Sequence, residues 1–156
     1  MNRIHATIAA LLLLASGLRA IDTVVPAPEP PLVGVLRFHV DNVKEAVGTI
    51  WVGIYRSEKD FLDREKARLV PVKVTTTGRT YIEIPGLLVG EEYALGIFHD
   101  ENDNGEFDTN WLGLPAEPWA FSGTLKSRFR LPDFEEVKFV FRPEQEQREL
   151  RLRVWF

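Results

Sequence analysis

The chain has 156 residues, a length suited to one domain, and it carries 23 acidic against 19 basic side chains for a formal charge of −4. That balance argues against nucleic acid as a partner, because such binding rests on cationic groups meeting phosphates. There is no Cys, which excludes disulfides, thiol catalysis and thiolate metal sites.

The N-terminal stretch has the order of a secretory signal peptide. Arg3 supplies a positive start, Ile8–Leu14 is an apolar run too short to span a bilayer, and Ala15, Ser16, Gly17 and Ala20 are small exit residues. Cleavage after Ala20 is expected, taking the formal charge to about −6. The protein would then be exported, periplasmic or extracellular, with no membrane span after signal cleavage. Residues 21–31, including the run VVPAPEPP, read as a Pro-rich spacer, and residues 32–156 as the folded domain.

From Leu32 onward, short runs with period-two alternation recur between turn residues. Val35–Val40 is the first. In Thr49–Tyr55, Ile50, Val52 and Ile54 share one face, and Thr49 and Gly53 lie on the other. Val70–Thr75 follows, with Pro71 assigning it to a sheet edge. Thr80–Ile84 and Tyr93–His99 continue the series, and Leu87–Gly90 before Tyr93 suits either a tyrosine corner or simple packing. Val137–Phe141 and Glu149–Phe156 complete seven strands, the last a closing edge strand guarded by Arg151 and Arg153. Ser57–Ala67 is the one segment with helical character, a short crossover helix anchored by Phe61 and Leu62. The expected fold is therefore all-β, a seven-stranded Greek-key sandwich of immunoglobulin-like or transthyretin-like type.

Charge is unevenly spread. Between Arg79 and Lys126 there is no Lys or Arg, while nine acids fall in that stretch. Within it, Asp100, Asn102, Asn104, Glu106 and Asp108 stand at positions one, three, five, seven and nine of a calcium loop, with Gly105 at the sharp turn. Position seven contributes a backbone carbonyl and the others contribute side-chain oxygens. Trp111 stands at position twelve, where a bidentate Glu belongs. Glu117 is the nearby acid that could supply the missing ligand, so calcium is the expected cofactor. The competing reading is an Asn-Gly turn held by Asx hydrogen bonds. Beyond the loop, Trp111, Trp119 and Phe121 form an aromatic segment, either a rim for an envelope protein or glycan, or a plug closing the end of the domain.

The run FHDENDNGEFDTNWLGLPAEPWAFS (Phe98–Ser122) resembles the signature of the bacterial family known as domain of unknown function 2141. Pro132-Asp133-Phe134 resembles that family's later Pro-x-Phe, and Gly90–Tyr93 resembles its Pro-Gly-x-Tyr turn. The chain departs at Trp119-Ala120, where the family has Tyr-Gly, and at Gly123-Thr124, where Asn is usual. The resemblance implies export and a sandwich domain, and it implies no activity.

No catalytic motif is present: there is no G-x-S-x-G, no H-E-x-x-H and no Gly-rich phosphate loop. The expectation is a non-enzymatic module. The alternative is a hydrolase using His99 with Asp100 or Glu117, His5 being in the signal peptide and His39 alone on a strand.

Overall fold

The computed structural model describes residues 30–127, 130–143 and 148–153. The expected signal peptide and the spacer up to residue 29 lie outside these residues, as does the end of the final strand beyond Arg153.

The described residues build two sheets. One has three strands in the order β4-β1-β8, formed by β1 (Val33–Val43), β4 (Gly78–Leu88) and β8 (Arg148–Arg151). The other has five, in the order β3-β2-β5-β6 with β7 also paired to β5. Its members are β2 (Thr49–Tyr55), β3 (Arg68–Lys73), β5 (Glu92–Asp100), β6 (Trp119–Phe121) and β7 (Phe139–Val140). Pro71 does lie on an edge strand, and β8 closes the edge of the smaller sheet, but it joins β1 in parallel.

Alternation carries the core. Ile50, Val52 and Ile54 are at most 4% exposed, and they meet Leu36, Phe38 and Val40 of β1, Ile82 and Ile84 of β4, and Leu95 and Ile97 of β5 in one cluster drawn from both sheets. Each such side chain contributes about 1.5–3 kcal/mol by leaving water. Asn42 interrupts the alternation of β1. It sits at φ 66°, the ladder slips between Asp41 and Val43, and its Nδ2 donates to the Leu152 carbonyl at 2.8 Å. This bulge lets both Val40 and Val43 reach the core.

The reverse face of β2 is covered as well, so Thr49 and Gly53 are buried without joining the main core. Near Tyr55 a second cluster packs there, formed by Ala94, Phe134 and Val137 with Phe61 and Phe121 beside them. Tyr93 makes the corner: its hydroxyl accepts the Leu88 N–H at 2.9 Å while its ring packs in the core.

Three expectations need correction. Ser57–Ala67 holds only a 3-10 turn, Glu58–Asp60, and it links two antiparallel neighbours of one sheet instead of crossing over. Ser57 Oγ caps Asp60, Leu62 takes φ 64°, and Asp63 starts a further turn, so local capping outcompetes a helix with only two apolar anchors. Val137–Phe141 is not one strand: Val137 ends a helical turn, α1 (Phe134–Val137), and β7 follows as two residues. The Glu136 carboxylate accepts the Asp133 N–H, closing that turn. The described strands therefore number eight instead of seven, because Trp119–Phe121 pairs with Gly96–Phe98 as β6.

Candidate functional site

Strand β5 ends at Asp100, opposite Thr49 of β2, and the chain then enters the acidic loop. Asp100 is 1% exposed, a depth at which a carboxylate needs partners. It finds three. Oδ1 accepts the Asn104 N–H at 3.1 Å, and Oδ2 accepts the Gly105 N–H at 2.8 Å and the Trp51 Nε1–H at 3.1 Å. The next acceptors continue the winding. Asn102 Oδ1 takes the Asn104 N–H at 2.9 Å, and Asn104 Oδ1 takes the Glu106 N–H at 2.7 Å. Asp103 and Gly105 have φ of 57° and 78°, which curl the backbone around these side chains.

The loop thus closes as a ring. Asn102 Nδ2 and Asn104 Nδ2 converge on Asp108 Oδ2, at 2.8 and 3.0 Å. The side chains at positions three, five and nine therefore meet at one point. Asp103 faces away, held by Thr49 Oγ1 at 2.7 Å and by an ion pair with Lys73, and that ammonium keeps its carboxyl below the usual range.

Glu117 completes the arrangement from outside the loop. It is 6% exposed; Oε2 accepts the Asp108 N–H at 3.1 Å, and Oε1 is buried with no partner. Burial pushes its pKa up, opposed by the backbone N–H groups of Asp108 and Glu101 and reinforced by the charges of Asp100 and Asp108. Among the described residues no Lys or Arg pairs with Asp100, Asp108 or Glu117, and no three His, Asp or Glu side chains form a ready-made metal-holding group. The side-chain positions that would complete a ligand set are the amides of Asn102 and Asn104.

The aromatic residues separate. Trp119 and Phe121 share one face of β6, with ring centroids 5.5 Å apart, and Phe121 joins the second cluster. The Trp119 Nε1 is buried and unpartnered. Trp111 stands elsewhere, 89% exposed at the tip of a tight loop. The rim is therefore divided: Trp119 and Phe121 pack on the sheet, and Trp111 projects.

His99 is 0% exposed and its Nε2 lies 2.7 Å from the Val47 carbonyl oxygen. Its Nδ1 is buried, 3.7 Å from Glu101 Oε1. His99 so ties the β1–β2 turn to the base of the loop. Gly48, next in that turn, lies so close to Asp100 that a Cβ would stand 1.9 Å from its carbonyl oxygen. Sequence reasoning did not reach these two contacts, because they join segments about fifty residues apart; only the Gly at a turn hinted at them.

With this geometry in view, the family comparison is direct. The model of the family described as an uncharacterized protein conserved in bacteria, domain of unknown function 2141, matches residues 38–149, and the chain belongs to that family. No curated protein and no solved structure gives a match.

Proposed function

We propose that this member of the 2141 family is an exported, non-enzymatic envelope module that holds a calcium-like cation in the Asp100–Asp108 loop. The observation that carries the reading is Glu117, a buried carboxylate with one oxygen on the loop backbone and the other without a partner. An unpaired buried carboxylate is costly, and a cation between it, Asp100 and Asp108 would offset that cost. The ligands would be Asp100, Asn102, Asn104, the Glu106 carbonyl, Asp108 and Glu117. Turning over the amides of Asn102 and Asn104, at the cost of the bonds they accept from the Asn104 and Glu106 N–H groups, would present oxygens where their N–H groups now satisfy Asp108. Six oxygens fall at the lower end of the calcium range.

The loop, set at the end of the interior strand β5 with no Glu at position twelve, belongs with weak extracellular sites, at a Kd on the order of 10⁻⁴–10⁻³ M. The fold around it is a Greek-key sandwich, a reading supported by the common core of the two sheets and by the chain's repeated passage between them. Of residues 111–122, the exposed tip at Trp111 and Leu112 would then be the part shown to a partner.

Thermal melts of chelator-stripped protein test the site. Low-millimolar calcium should raise Tm by about 2–6 °C over chelator. Asp108→Asn should lose that rise. Equal melting of the wild type in calcium and in chelator would reduce the segment to an Asn-Gly turn. Export is tested by mass spectrometry of protein recovered from the envelope, which should lack roughly the first twenty residues; an intact Met1 would contradict it.

A further inference from the structure

The tip that follows the loop is built to keep its apolar side chains in water. Trp111 is 89% exposed and Leu112 57%, with Phe107 at 40% on the loop below. A floppy tip could fold these away, but this one is braced. Asn110 Oδ1 accepts the N–H groups of Leu112 and Leu114 at 2.9 and 3.1 Å. Asn110 N–H donates to the Leu114 carbonyl, Gly113 N–H donates to the Asn110 carbonyl, and Thr109 bridges Pro115. Gly113 supplies the positive φ, 74°, that the turn demands.

The base of the tip is the cation loop itself. Ala116 N–H donates to the Asp108 carbonyl, and Asp108 N–H donates to Glu117. Asp108 and Glu117, two of the three carboxylates proposed to hold the cation, thus also clamp the root of the Trp111–Leu112 loop.

We propose that Trp111 and Leu112 form a membrane-interface anchor that docks on an anionic phospholipid bilayer when a cation occupies the loop at its base. This rests on the cation reading above and names the partner of that site. Indole is the side chain best suited to the headgroup boundary, and a Trp-Leu pair on a narrow stem has the shape of a wedge. Leu112 and Gly113 offer no polar side chain, and Asn110 Oδ1 is taken by the Leu112 and Leu114 N–H groups, whereas a sugar site would need free polar groups beside its stacking ring. Charge then sets the condition. The loop and its flank carry Asp100, Glu101, Asp103, Glu106, Asp108 and Glu117, with Lys73 on Asp103, so this end of the molecule repels an anionic surface until a cation intervenes. Six protein oxygens leave one or two calcium positions that lipid phosphate oxygens can fill.

Vesicle co-sedimentation tests the proposal, with calcium binding followed in parallel by calorimetry without lipid. With about 2 mM calcium, in the range of such sites, the wild type should sediment with phosphatidylglycerol-containing vesicles. Binding should fall at least about tenfold in chelator, with pure phosphatidylcholine, and in Trp111→Ala. Trp111→Ala should bind calcium in solution as the wild type does, since its indole faces water. Calcium binding without sedimentation would overturn the docking and leave the cation site standing. No calcium heat and no sedimentation would remove both. Sedimentation of Trp111→Ala equal to wild type would overturn the anchor. Calcium-independent adhesion to cationic vesicles alone would also overturn it, and would point to a basic protein as the partner.

Discussion

At Gly48 the backbone needs a φ of 71°, and a Cβ there would meet the Asp100 carbonyl oxygen and the Glu101 Cα at 1.9 and 2.9 Å. Both obstacles are backbone atoms, so no rotamer relieves them. Gly48→Ala should cost about 2–4 kcal/mol in denaturant unfolding, from the left-handed conformation and the displaced loop together. A cost under about half a kcal/mol would mean the turn does not press on the loop. Residues like this were poorly legible in the sequence, since a Gly in a turn says only that φ is positive. Asp100, Asn102, Asn104 and Asp108 were legible, because their spacing is local and the hydrogen bonds among them span at most six residues. Glu117 was legible as an acid within an apolar segment. Its orphaned oxygen was not, for that depends on how β6 places it beneath the loop.

Among the elements, strands with strict alternation were readable and short turns were not. Thr49–Tyr55 runs as its pattern dictates, whereas α1 hides inside an apolar stretch that also suits a strand. Its signal was the spacing of Asp133 and Glu136, the two ends of a capping box. That turn makes a pH prediction. Arg130 grips the Glu136 carboxylate through two bonds, at 2.9 and 2.7 Å, and this, more than the Asp133 N–H, lowers its pKa from 4.5 to about 2. A folded-state pKa below the unfolded one gives stability that is full above about 4.5 and is lost as pH falls toward 2. The difference in unfolding midpoint between wild type and Glu136→Gln should therefore hold steady near neutrality and close across that window. A difference independent of pH would show that the carboxylate's charge contributes nothing to α1.

For the whole molecule, the two sheets depend on one shared core, so its central side chains should be costly to truncate wherever the cation stands. Ile50→Ala or Ile54→Ala should lose about 2–5 kcal/mol in denaturant unfolding, with or without calcium. Losses below about half a kcal/mol at both would mean that β2 is read in the wrong register. The core and the acidic loop are joined through β5, which carries Leu95 and Ile97 inward and ends on His99 and Asp100. The scaffold thereby fixes the loop's first ligand while Glu117 approaches through the Asp108 N–H. That approach is most directly tested by titration calorimetry of calcium into chelator-stripped wild type and Glu117→Gln. The wild type should bind with a Kd on the order of 10⁻⁴–10⁻³ M, and the variant at least about tenfold more weakly. No binding heat in the wild type, or identical isotherms for the two proteins, would contradict the account.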